Sequence, residues 1–253
     1  MAQPDDLVLY AFHASVKDSA SAEHLGYAWD NGWKVGDVVY SHAANHAGWS
    51  AKVRERLAIP GARVARPVIA TNGRFTVGGW KATQFIPGHL ARRIDETAQL
   101  AQRVERAMEE AGVTVPVDRQ DIFARAERAA WEETGELYHP VSQQLVAGHA
   151  DLLGTTIYEG LNPPAVVDLV PTAAPRPRGY TCALVVVDGL INGAVDEAIC
   201  DRFSYIADFD QLLLRAAAYR RHVNNLHPAA TTETRAQIHS VEDKLAARIS
   251  ATL

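Results

Sequence analysis

The chain has 253 residues, 47% of them hydrophobic and 22% charged, a balance that excludes disordered, fibrous and membrane classes and leaves one large domain or two lobes. With 25 Lys+Arg against 30 Asp+Glu the formal charge is -5, so no global positive field draws in phosphate backbones or anionic lipid, and neither nucleic acid nor a membrane is expected as a partner. Cys182 and Cys200 are too few and too ill-spaced for a disulfide framework and are expected to be buried thiols. The start, MAQPDDLVLYAF, has no basic segment ahead of an apolar run, and the longest apolar stretch, Ala183 to Val187, ends at Asp188; a cytoplasmic protein is the expectation.

In chain order, Leu7, Val8, Leu9, Tyr10 and Phe12 suit a short helix, and Trp33 to Tyr40 read as two strands around the turn Gly36-Asp37. Residues 47 to 58 place Trp49, Val53 and Leu57 on one helical face, ended by Ile59-Pro60-Gly61. A second hairpin is predicted between residues 62 and 88, turning at Thr71-Asn72-Gly73. Pro87-Gly88 marks a boundary, after which Ala, Glu, Arg and Gln at helical spacing take over. Helices are predicted at 120 to 134, 181 to 193, 208 to 225 and 232 to 251, the last with Ile238, Val241, Leu245 and Ile249 on one stripe. One stretch interrupts them, in which two apolar runs flank the turn Gly160-Leu161-Asn162-Pro163-Pro164.

Asp151, in His149-Ala150-Asp151, precedes the first strand of that hairpin and Asp168 follows its second. A hairpin that folds back on itself is expected to bring the two carboxylates to one edge, where they suit metal-assisted phosphoryl transfer. As bland readings, Asp151 and Asp168 serve as a turn cap and a strand-end carboxylate, and His-x-Asp arises by chance in a chain with 10 histidines. His42 and His46 lack further ligands for zinc. His222 and His227 suit helix-end carbonyls. Leu212, Leu213, Ala216 and Tyr219 suit core, and Asp188 is expected to bond a polar neighbour.

A small β-rich lobe, a Pro-Gly hinge, a helical lobe, His-x-Asp and a second Asp after Ala-Val-Val together resemble the aminoglycoside phosphotransferase and choline kinase group, nearest to an uncharacterised actinobacterial branch. The resemblance implies a two-lobed protein-kinase-like α+β fold, with residues 1 to 87 the small lobe and 88 to 253 the helical lobe. It further implies ATP and Mg2+ as cofactors, Asp151 as the catalytic carboxylate with His149 its structural neighbour, Asp168 as the metal ligand, and residues 84 to 88, Phe85 and Ile86 among them, as the linker that meets adenine.

Three departures weaken phosphate handling. Thr155 and Thr156 stand where the family has a metal-binding Asn, and a hydroxyl is a poorer magnesium ligand. Val38-Val39-Tyr40-Ser41-His42 offers Ser41 where the family has a lysine. The glycine-rich turn shrinks to Gly26 and Gly32 around Tyr27, Trp29 and Trp33. Lys34, oriented by Glu55, is a candidate replacement cation. Arg176 and Arg178 offer a clamp for an anionic substrate, or solvated charges in a Pro-rich loop. Two functions are consistent with this pattern: a pseudokinase that binds a small-molecule ligand or a protein partner, or an active ATP- and magnesium-dependent phosphotransferase acting on a small-molecule hydroxyl. An unrelated α+β binding protein is the third.

Overall fold

The computed structural model describes residues 3–14 and 22–251; the remainder of the stretch 1 to 24 lies outside the described residues. The chain is α+β, with antiparallel sheet early and mainly helices after residue 92. In order come α1 (Asp6–Ala11), β1 (Glu23–His24), β2 (Trp33–Val35), β3 (Val38–His42), α2 (Ala47–Arg56), β4 (Arg63–Val64), β5 (Thr76–Val77), β6 (Trp80–Gln84) and β7 (His89–Leu90). Next are α3 (Ile94–Glu110), α4 (Ile122–Glu132), β8 (Leu145–Val146), the single turn α5 (Leu152–Thr155), β9 (Thr156–Tyr158), β10 (Ala165–Val166) and β11 (Arg176–Pro177). The chain ends with α6 (Tyr180–Ile191), α7 (Ala198–Arg202), α8 (Phe209–Leu226) and α9 (Thr232–Ser250). Two compact units result, residues 1–91 with 154–170, and residues 92–153 with 171–253.

In the first unit, five strands pair antiparallel in the order β1-β2-β3-β6-β5. Gly36-Asp37 joins β2 to β3 as its sequence predicts. The second hairpin does not turn at Asn72-Gly73: that segment closes only a local turn, Gly73 N–H to the Ala70 carbonyl at 2.9 Å. The ladder Thr76↔Lys81, Val77↔Trp80 turns at Gly78-Gly79. Their φ angles of 57° and 80° supply the two left-handed residues that a tight hairpin needs, so the Gly-Gly pair wins over Asn-Gly.

Alternation sorts β3 and β6 between two cores. Tyr40, Trp80 and Ala82 pack with Val8, Leu9 and Phe12 of α1 and its C-cap. Val39 points the other way, into Trp29, Ala65, Ile157 and Val167. By register, Ser41, Lys81 and Thr83 share the Val39 face. A second sheet of the same unit, β4-β10-β9-β7, lies among these residues; β4 runs parallel to β10 and the other pairs are antiparallel. The predicted hairpin around residues 160 to 164 is β9–β10, but it begins at Thr156, after α5.

The second unit is helical, with the short ladder β11–β8. The buried stripes on α3 (Leu100, Val104, Met108), α6 (Leu184, Val185, Val187) and α8 (Leu212, Leu213, Ala216, Tyr219) form its core. Ile238, Val241, Leu245 and Ile249 of α9 are buried as their spacing predicts. Cys182 and Cys200 are both buried and free, and burial pushes both thiols up, Cys200 to about 11. No helix of the described residues is long and apolar enough to cross a membrane.

Candidate functional site

Around Asp168 the first unit gathers a buried cluster of charge. Asp168, two residues beyond β10, is 6% exposed. Its Oδ1 accepts from the Ser50 hydroxyl, from its neighbour's N–H at Leu169 (2.8 Å), and faces Arg54 Nε at 3.4 Å. Its Oδ2 is held by the Lys81 ammonium. Ser50 and Arg54 sit at i, i+4 on α2, and Arg54 reaches on to the Ala65 carbonyl at 2.7 Å. The face of α2 that is buried is therefore Ala47, Ser50, Ala51 and Arg54, while Trp49 and Val53 of the predicted apolar stripe are only half-buried. Lys81 makes a second ion pair, at 2.6 Å, with Asp30, which is 51% exposed and lies in the turn between β1 and β2.

The electrostatics follow from burial and pairing. Burial pushes the Asp168 carboxyl up, but Lys81 and then Arg54 outweigh it and hold the group far below the usual carboxylate range. Burial pulls the Lys81 ammonium down, and Asp168 with Asp30 more than restores it. Arg54 is lowered by burial, partly offset by Asp168. The cluster is a salt-bridged set in low dielectric, where removing one partner costs far more than a surface pair is worth.

Ser41 lies directly across the ladder from Lys81. The ammonium absent from β3 thus stands on the neighbouring strand, on the same face. Lys34 also faces the Val39 side, through the pair Lys34↔Val39, but its ammonium pairs with Glu23 at 3.7 Å and lies 4.8 Å from the Phe85 ring centroid. Glu55 pairs with Arg56 at 3.9 Å. Phe85 stacks on Trp29, ring centroids 5.6 Å apart, and Ile86 packs in the same cluster. Thr155 and Thr156 are buried, and the Thr155 carbonyl accepts from Val167 at 2.9 Å.

Asp151 belongs to the second unit and lies just before α5, which separates it in sequence from β9. Its loop is rigidly held. His149 is 1% exposed; its Nδ1 accepts the Asp151 N–H at 3.1 Å, and its own N–H donates to Thr181 Oγ1 at 3.0 Å. The Ala150 carbonyl accepts from Arg220 at 3.1 Å, and Arg220 is gripped by both oxygens of Asp188 at 2.6 Å each. Asp188 is thereby bonded, as its place in an apolar helix requires. The two arginines of the Pro-rich loop are occupied. Arg176 is 9% exposed, pairs with Glu127 at 2.5 Å and lies over Trp131, so it is not a solvated charge. Arg178 pairs with Glu109 at 2.6 Å. His222 bonds Glu133 at 2.6 Å rather than a helix-end carbonyl. His42 stacks on Trp80.

Magnesium does not fit the donor set at Asp168. Both carboxylate oxygens face donors that are cationic or hydrogen-bonding, and a second cation would sit against an ammonium and a guanidinium. Among the described residues no group of three or more His, Cys, Asp or Glu could hold a metal ion.

Sequence reasoning missed Lys81, Arg54, Ser50 and Asp30. Period-two alternation within Trp80-Lys81-Ala82-Thr83 marks Lys81 as opposite in face to two buried apolar residues; only the register with β3 makes it the neighbour of Ser41.

No family model matches the chain, and no curated protein matches it. Among solved structures it is similar to an ethanolamine kinase of Plasmodium vivax, at 9% identity and a TM-score of 0.46, over 98% of this chain and 91% of that one.

Proposed function

We propose that this chain is a kinase-like protein of the aminoglycoside phosphotransferase and choline kinase type that has given up phosphate transfer and acts by binding a small molecule or a partner protein. The observation that carries this reading is the state of Asp168: its charge is neutralised inside the protein by Lys81 and Arg54, both buried. A carboxylate used to bind metal must present its oxygens to the ion, and here both are spent on side chains. The other phosphate-handling departures point the same way. Gly32 is packed against β3, where a Cβ would meet the Tyr40 carbonyl at 2.6 Å. In this reading Asp168 is a structural counter-ion, and the protein works in the cytoplasm with its two thiols reduced.

One observation favours the active phosphotransferase as a second reading. Lys81, opposite Ser41, returns an ammonium to the strand pair from which the family's lysine is missing. In that case Asp151 would orient the acceptor hydroxyl. Thermal unfolding with and without ATP and magnesium separates the two. The binding-protein reading expects no shift at millimolar nucleotide, whereas a saturable rise that Asp168→Asn abolishes would establish the phosphotransferase.

A further inference from the structure

The second unit holds a cavity that no residue of the Asp168 cluster lines. It lies where α6, α7 and α9 meet, and its volume is about 270 Å3. One face of α9 lines it, with Val241, Lys244, Leu245 and Arg248 at i, i+3, i+4 and i+7. Val241 and Leu245 belong to the buried stripe of that helix, yet here they border open space. Across from them stand Val195 of the α6–α7 connection and the buried Cys200 of α7. Close-packed interiors hold few voids larger than a water molecule, and an apolar cavity of about 150 Å3 is already enough to bind benzene.

The α6–α7 connection, which forms one wall, is pinned at both ends. α6 stops at Gly193, whose φ is 61°. There the Ala194 N–H returns to the Gly189 carbonyl at 2.9 Å and the Gly193 N–H to the Leu190 carbonyl at 3.1 Å. At α7 the Ala198 N–H meets Asp196 Oδ1 at 3.1 Å, and the Cys200 N–H meets the Glu197 carbonyl at 3.0 Å. A wall fixed in this way spends little binding energy on ordering itself.

Charge stands at the rim and is already engaged. Lys244 Nζ pairs with Glu197 at 3.0 Å, and both side chains are about half-exposed. Arg248 is held between Asp210 at 2.8 Å and Asp201 at 2.6 Å. With Asp196 added, two cations face four carboxylates, so an anion finds no free counter-ion. A cation would meet its counter-charges only in solvent-exposed side chains, where an ion pair is worth little. The buried wall carries no charge: it is Val241, Leu245 and the Cys200 thiol, which burial keeps protonated. We propose that this cavity is a binding site for a small neutral molecule, a single aromatic ring or a branched hydrocarbon of that size without an ionised group. The inference goes beyond the reading above and does not depend on it, because Asp168 and its partners all belong to the first unit and the cavity to the second.

Benzyl alcohol, benzylamine and benzoate share one ring and differ at neutral pH chiefly in charge. Each is titrated at matched ionic strength into the full chain, with the backbone amide signals of Gly193, Val195 and Cys200 as the readout. Benzyl alcohol is expected to bind on the order of tenfold more tightly than either ion and to move those signals. Val195→Trp places an indole in the cavity and should abolish binding while unfolding stays cooperative. Cys200→Met fills the same space from the buried side should the first variant fail to fold. Absence of saturable binding, signals that move elsewhere in the chain, or binding that survives in a folded, filled variant would overturn the proposal. Benzylamine binding as tightly as benzyl alcohol would overturn it too, by making the rim carboxylates the recognising groups. None of these outcomes bears on Asp168, whose role is decided by nucleotide and magnesium.

Discussion

Asp168 divides the two roles that a carboxylate at this position can have. As a counter-ion it holds up the fold, and Asp168→Asn should lower stability by about 3–5 kcal/mol, because buried Arg54 loses its carboxylate and buried Lys81 keeps only the half-exposed Asp30. Urea unfolding of the two proteins measures the difference; a loss under about 1 kcal/mol would contradict the role. The pH dependence has a definite sign. Lys81 and Arg54 hold the folded-state carboxyl below its unfolded value. Its stabilising contribution is thus complete above about pH 4, the unfolded carboxyl range, and is lost as the pH falls below it. The gap between wild type and Asp168→Asn should shrink there and stay constant from about pH 5 to 8. Among single residues, Asp168 stood out in the sequence as a carboxylate at a strand end, and its partners did not. A lysine in a strand carries no label for its face, and Lys34, the visible alternative, is on the correct face yet is held by Glu23 and Phe85.

At the scale of elements, α2 shows why patterning fails at charged clusters. Trp49, Val53 and Leu57 spell an apolar stripe, but the helix buries Ser50 and Arg54, residues that read as its wet side. They are inside because Asp168 is there to receive them. Gly48, on the same helix, has open space around the position of a Cβ, so Gly48→Ala should stabilise by about 0.5–1 kcal/mol through helix propensity alone. Gly79 also has room, but its φ is 80°. Gly79→Ala should therefore cost about 1–2 kcal/mol through the backbone. Denaturant midpoints of these two variants, moving in opposite directions, would establish that the hairpin turns at residues 78–79. Two changes of the same sign would place the turn elsewhere. Asn72-Gly73 was the more obvious turn dipeptide, and it lost because the strands flanking Gly78-Gly79 are the ones with a partner ladder.

For the whole molecule, the long helices were legible because their period repeats over many residues, and the antiparallel sheet because a glycine-containing turn divides its short alternating runs. Less legible was the chain's return, by which residues 154–170 leave the helical unit and complete the second sheet of the first. Periodicity reports what a segment forms and not with which segment it packs. The β9–β10 hairpin was visible, while the single turn α5 that separates Asp151 from its first strand was not. The buried pairs Arg176–Glu127 and Arg220–Asp188 likewise join residues tens of positions apart. Asp168 is neutralised by the protein itself. The most direct test is the melting temperature of wild type and Asp168→Asn, each titrated with ATP and magnesium to millimolar concentration. The variant is expected to melt roughly 10 °C lower, with no nucleotide-dependent shift in either protein. A saturable, magnesium-dependent rise in wild type that vanishes in a variant of unchanged stability would contradict it.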